Sequence, residues 1–231
     1  EDLPAATQIF TPKWIVKYMV QNSLGKLWQD SHPETSFSDD WEYYLASAGR
    51  KPQLPQDMDI KSIKILDPAC GSGHILVYAF DLLYKMYEAL GYRRSDIPRL
   101  ILKNNLFGLD IDKRAVQLAS FALVMKARQK SPYLFSDDEE IALNILEFKE
   151  SKTISEEALG LLCQSPAEEA DIQRLLTEMA NAKQFGSLLK VSTIDFDYYI
   201  SRIEALAEDA KDLLTEELVK ELIEKLLPLL K

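Results

Sequence analysis

Apolar positions along the chain switch between a helical period and short continuous runs, and that alternation sets the expected elements. Thr11-Pro12 reads as an N-cap followed by proline at the first helical position. Behind it Ile15, Tyr18, Met19 and Asn22 share one face and predict a helix from Pro12 to Trp28. Trp14, Tyr18 and Trp28 have helical spacing and are expected in the core. Residues 30–60 are polar and proline-punctuated, with a short helical piece at Trp41–Ala48, and read as a connection. Ile63–Leu66 predicts a short buried strand, and Ile75–Leu90, apolar nearly all round, a helix packed on a sheet. Arg93–Lys103 reads as a second, solvated connection with its own basic cluster. Asn105–Asp110 predicts a second strand, and Lys113–Lys130 a helix with Val116, Ala119, Leu123 and Ala127 inward. Beyond an acidic loop at 136–140, Ile141–Phe148 predicts a third strand.

Strands alternating with helices argue for an α/β fold on a mostly parallel, doubly wound sheet. From Glu156 onward the pattern changes to leucine-rich acidic helices. The expected division is an N-terminal helical segment at 1–60, an α/β core at 61–150 and an acidic helical region at 151–231.

Composition narrows the function classes. The formal net charge is -10, with 16 acidic and 9 basic residues in 151–231 against 21 and 18 in the first 150. Phosphate neutralisation supplies most non-specific affinity for nucleic acid, so this chain is not expected to clamp DNA by itself. Two cysteines and two histidines offer neither a disulfide framework nor a metal cluster. Without a membrane-length apolar run or a signal pattern, the expectation is a cytoplasmic protein.

The chemistry concentrates in ILDPACGSGHIL, residues 65–76. A strand, a turn and a helix start in that order make a ligand site, because helix N-termini present unpaired amides and a positive dipole end. Gly71 and Gly73 let the backbone turn and approach a ligand closely. Asp67, ahead of the turn, sits where open α/β sheets bind ligands. No third glycine follows at Rossmann spacing, and no Gly-Lys-Ser/Thr follows for a P-loop. An acid before the turn would repel a pyrophosphate, but it suits a ligand that carries an ammonium group and a ribose. Asp110, ending the second strand, can take the ribose hydroxyls, while Asp112 is better placed to cap the next helix. Cys70 reads as a small packing residue, and His74 as a first-turn polar residue rather than a base.

DPACGSG at 67–73 resembles the cofactor motif of the adenine-specific DNA methyltransferases. GLDID at 108–112 is similar to their second motif, and TQIFTPKWIVKYMV at 7–20 to an N-terminal motif that closes over the cofactor's methionine end. With HILVYAFDLLYKMYEALGY after the turn, the set looks closest to the large restriction-modification and phage-exclusion (BREX-type) enzymes. The resemblance implies a Rossmann-like S-adenosylmethionine-dependent fold, partial here, with the N-terminal helix and C-terminal helical region attached. It implies Thr11 and Pro12 near the methionine part, and Asp67, Ala69, Gly71 and Gly73 around the amino-acid moiety. It also implies Asp110 on the ribose and Ile111 against the adenine ring.

The family's Asn/Asp-Pro-Pro-Tyr/Phe motif, which holds the target amine and stacks on the flipped base, is not in the sequence. SPYLF at 131–135 has one proline and reads as a helix stop. The expectation is therefore a cofactor-binding part without catalytic residues, ending short of its chemistry. Double-stranded DNA would be met through regions outside this chain, with protein partners in a restriction or defence complex. Two other readings stay open: methyl transfer to a small molecule or protein, and a silent cofactor-binding or assembly module.

Overall fold

The computed structural model describes residues 11–32, 40–45, 58–135, 141–209 and 213–230. They fall into two compact units, residues 1–147 and 148–231.

The first unit opens with helix α1, Lys13–Val20. It runs through a wider π-type turn, Gln21–Gly25, into α2, Lys26–Ser31. The expected Thr11 cap is not made. Pro12 itself stands at the cap position without a side-chain bond, and its carbonyl takes the amides of Ile15 and Val16. The buried row is Val16, Val20, Leu24 and Trp28. The face of Ile15, Tyr18, Met19 and Asn22 is not the packed one, and Trp14, expected in the core with Tyr18, is 56% exposed. Both rows are mostly apolar and fit a helical period, so the choice falls to the surface they meet rather than to periodicity. Asn22 instead donates to the Tyr43 carbonyl at 2.7 Å and accepts from the Leu45 amide at 2.8 Å. Residues 41–45 form a turn rather than the start of the expected helix, whose remainder at 46–48 lies outside the described residues, as does the loop at 136–140.

Three strands, β1 (Ile65–Asp67), β2 (Leu106–Asp110) and β3 (Asn144–Glu147), pair in parallel in the order β1-β2-β3. Asp67 lies opposite Gly108, and Gly108 opposite Ile145. The crossovers are α3 (His74–Ala89) and α5 (Lys113–Lys130), as the apolar pattern predicts. Parallel crossovers are right-handed, so an order that advances one way puts both helices on the same face. That face is packed by Leu76, Phe80, Leu83 and Tyr87 of α3 with Ala119 and Leu123 of α5. A Cβ on Gly108 would stand 2.9 Å from the Leu76 side chain, so the glycine sets how closely α3 settles on β2. On the opposite face Leu66 is 57% and Leu146 49% exposed. The α/β class and parallel pairing are as the pattern predicts, but among the described residues the sheet is wound on one side rather than the two of a doubly wound sheet.

The stretch expected as a solvated insertion is ordered. Ile97–Asn104 forms α4, burying Ile97, Pro98, Ile101 and Leu102. Its basic side chains disguise this row in the sequence: Arg99 reaches the Leu134 carbonyl at 2.7 Å, and Arg94 pairs with Glu88. The SPYLF segment is the helix stop it reads as, with the Ser131 amide on the Ala127 carbonyl.

The second unit is helical and has its own core. Ser155 and Ser165 cap α6 (Glu156–Leu162) and α7 (Pro166–Met179). Their apolar residues Ala158, Leu162, Ile172 and Leu175 pack with Tyr199, Ile203, Leu222 and Leu226 from the later helices. Glu221 accepts from Lys225 and Ser155, which hold its carboxyl down at about 2. Among the described residues no helix is long and apolar enough to cross a membrane.

Asn105, fully buried just before β2, ties the sheet to the segment that enters it. It donates to the Ile60 and Ile63 carbonyls, each at 2.8 Å, and accepts from the Tyr87 hydroxyl at 2.9 Å. Asn105→Ala leaves these buried groups unpaired and should cost roughly 2–3 kcal/mol. Denaturant unfolding of both chains checks this; a loss below about 0.5 kcal/mol would mean the network carries no net stability.

Candidate functional site

β1 ends at Asp67, and the chain turns at once through Pro68-Ala69. The turn is tied down in sequence order. Asp67 Oδ1 accepts from the Ala69 amide at 3.2 Å, the Cys70 amide donates to the Leu109 carbonyl at 2.9 Å, and the Gly71 amide donates to Asp110 Oδ2 at 2.8 Å. The Gly73 amide then closes on the Cys70 carbonyl at 2.8 Å, and α3 begins. Gly71 and Gly73 have φ of +53° and +83°, a region that residues with a Cβ avoid. At Gly73 a Cβ would also press on Ala119 of α5 at 3.0 Å, whereas at Gly71 it would meet open space. Gly73 is therefore needed by the fold, and Gly71 by the backbone angle alone.

The amides of Cys70, Gly71 and Gly73 are spent inside the protein. The first intrahelical bond runs from Val77 to Gly73, so the donors left for a ligand belong to the first turn of α3.

Two carboxylates flank the turn at the ends of adjacent strands. Asp67 is 8% exposed, and its Oδ2 makes no hydrogen bond among the described residues. Burial pushes its carboxyl above the ordinary aspartate value; the Ala69 amide pulls it partway back, and the charge of Asp110 adds to the rise. Asp110 is half-buried with one backbone amide on each oxygen, its Oδ1 accepting from the Asp112 amide at 2.9 Å. Asp112 caps α5 through the Arg114 amide, as its position predicts. Ile111, exposed beside Asp110, offers an apolar surface past the strand end. Burial raises the Cys70 thiol to about 11, so it is a packing residue and not a nucleophile. His74 sits beside the turn, its Nδ1 3.0 Å from the Ser72 hydroxyl.

The structure thus gathers Asp67, Ala69, Gly71, Gly73, Asp110 and Ile111 at one end of β1 and β2. Thr11 and Pro12 precede α1, which packs on α3, and among the described residues neither makes a hydrogen bond to the turn. Two participants escape sequence reading. Leu109 enters through its carbonyl, which no side-chain pattern reveals. Gly108 matters through packing, and a glycine in the middle of an apolar strand is the signal that points to it. No metal-binding cluster of His, Cys, Asp or Glu occurs among the described residues.

A buried acid, a glycine turn and a second acid on the neighbouring strand can together hold a ligand that carries a cationic amine at one end and vicinal hydroxyls at the other. Residues 47–177 match the family described as the DNA-methyltransferase domain of MmeI. The chain belongs to this family. It is 40% identical to the adenine-specific methyltransferase BrxX of Escherichia coli O9:H4 (strain HS), over 96% of this chain and 21% of that protein. It is 35% identical to the adenine-specific methyltransferase PglX of Lacticaseibacillus casei (strain Zhang), over 85% of this chain and 17% of that one. The chain therefore spans about a fifth of the length of these relatives. The match to the MmeI methyltransferase domain covers both acids, the turn and all three strands.

Asp67 gives this site a measurable signature. Its folded value lies above the unfolded one, so the folded protein keeps a proton that the unfolded chain releases, and stability falls as pH rises through that window. Asp67→Asn removes the charge while keeping an acceptor for the Ala69 amide. At neutral pH it should stabilise the ligand-free protein, the difference closing below the ordinary aspartate value. Thermal melts of both chains across the acid range check this; a variant that is less stable at neutral pH would show that Asp67 already has its partner.

Proposed function

We propose that this chain is the cofactor-binding part of an adenine-specific DNA methyltransferase that uses S-adenosylmethionine and serves a restriction-modification or phage-exclusion system in the cytoplasm. The observation that carries the reading is Asp67: a buried carboxylate beside a glycine turn with one oxygen unspent. An oxygen of that kind awaits a cation, and the amine of an amino-acid ligand supplies one.

In this reading Asp67 takes the ammonium group, and Ala69, Gly71 and Gly73 shape the cradle around the amino-acid part. Asp110 accepts from the ribose hydroxyls, and Ile111 lies against the adenine ring. Thr11 and Pro12 close over the methionine end from the segment at 1–60, ahead of the binding core at 61–150, with the acidic helices at 151–231 leading on towards the catalytic motif. When bound, S-adenosylmethionine supplies a methyl group activated by its sulfonium charge. The protein's task here is to hold and orient. The two acids suit a ligand with a cationic amine and a cationic sulfur, and the turn fixes its amino-acid end by backbone contact. An acid ahead of the turn disfavours a pyrophosphate, which argues against NAD.

Methyl transfer also needs the target base flipped out and its amine held in line with the sulfur. No Asn/Asp-Pro-Pro-Tyr/Phe motif occurs in residues 1–231, and a net charge of -10 discourages DNA from approaching this part alone. Contact with double-stranded DNA then falls to other regions of the enzyme, as do any protein partners in a defence complex. Calorimetry should show S-adenosylmethionine bound and NAD not bound. Tritiated methyl transfer to unmethylated DNA by residues 1–231 should stay at background. Binding of NAD alone would overturn the cofactor assignment, and robust incorporation into adenine would show that catalytic residues lie within this chain.

A further inference from the structure

Asp110 has more to do than receive a ribose. Its Oδ2 accepts from the Gly71 amide at 2.8 Å across a sequence separation of 39 residues, and its Oδ1 accepts from the Asp112 amide at 2.9 Å. The preceding residue, Leu109, takes the Cys70 amide on its carbonyl. The glycine turn is therefore fastened to β2 at two successive points, one by backbone and one by side chain. Gly71 has a φ of +53° and open space where a Cβ would lie, so no packing of its own holds it there. It also lies ahead of the first hydrogen-bonded turn of α3. Among the described residues its carbonyl takes a weak contact from the Cys70 thiol at 3.8 Å, and its amide is held by the Asp110 carboxylate.

We propose that Asp110 is a positioning residue that clamps the glycine turn in its binding shape before any ligand arrives, in addition to being the ribose acceptor. The second half of that statement rests on the cofactor reading above; the first does not. The two roles are compatible, because a carboxylate offers about four acceptor directions and the backbone occupies two of them. Two remain for vicinal hydroxyls, on a group whose orientation is already fixed by Gly71 and Asp112. Fixing the turn during folding removes an ordering cost from binding. The same geometry explains why an amide would be a poor substitute. Asparagine has one acceptor oxygen, so whichever of the two N–H groups it serves, its own NH2 confronts the other.

The test separates clamp from acceptor in the full 231-residue chain. Without ligand, amide hydrogen exchange is measured at Gly71 and at Leu83 in the core of α3, in the parent protein, Asp110→Ala and Asp110→Asn. The clamp predicts exchange at Gly71 faster by about tenfold in Asp110→Ala, the size of one hydrogen bond to a charged group, and in Asp110→Asn faster exchange at whichever of Gly71 and Asp112, followed alongside, faces the new NH2, with Leu83 unchanged. Gly71 exchange equal to the parent's in Asp110→Ala with an intact core, or exchange at both Gly71 and Asp112 equal to the parent's in Asp110→Asn, overturns it. Should Asp110→Ala also loosen Leu83, the nearly isosteric Asp110→Asn decides. In the second arm, calorimetry follows S-adenosylhomocysteine and an analogue lacking both ribose hydroxyls. An acceptor alone leaves affinity for the analogue indifferent to Asp110→Ala, which would overturn the proposal. The clamp makes it fall severalfold. Absence of S-adenosylhomocysteine binding to the parent chain would sink the cofactor reading, while the exchange arm still judges the clamp.

Discussion

Asp67 and Gly108 stand opposite each other in the β1–β2 register, and the candidate site is arranged around the place where that pairing stops. Because the strands are parallel, their carboxyl ends meet at the same edge, and each contributes an acid there: Asp67 at once, Asp110 two residues later. The turn leaving β1 must then cross the end of β2 to start α3. It does so by giving its amides to Leu109 and Asp110. The packing of the fold and the shape of the site are thus one constraint. Gly73 lets α3 start against α5, and Gly108 lets α3 lie down on the sheet.

The two acids divide the work through their surroundings. Asp110 has both oxygens satisfied by backbone amides, so its position is settled before a ligand comes. Asp67 is buried with one oxygen unspent among the described residues, which costs stability and, in the proposed reading, is relieved by a cationic ligand. Strain and unpaired groups that persist in a fold gather where function needs them. An arrangement of this kind explains why a domain of the MmeI methyltransferase family places an acid, rather than another apolar residue, at the end of a buried strand.

The sequence discloses the site better than it discloses the packing. Strand, acid, glycine turn and second acid form a local pattern, and local patterns survive translation into three dimensions. The face of the N-terminal helices does not, because residues 13–28 carry apolar side chains on two sides and packing selects Val16, Val20, Leu24 and Trp28, whereas on α5 Ala119, Leu123 and Ala127 are buried as their spacing predicts. At 93–103 the arginines draw the eye, while the row Ile97, Ile101 and Leu102 does the burying. One-sided winding is likewise invisible, since strand order is a property of pairing and not of any segment. The clamp of Asp110 on Gly71 joins residues 39 apart and cannot be read from either motif alone.

The central claim is that one preformed site at the ends of β1 and β2 receives the cofactor. Nitrogen-15 amide spectra recorded during titration with S-adenosylhomocysteine test it most directly. The account predicts saturable shifts concentrated at residues 67–76 and 109–112, with the core of α3 and the helices of the second unit unmoved. Saturable binding whose shifts avoid both stretches would contradict it.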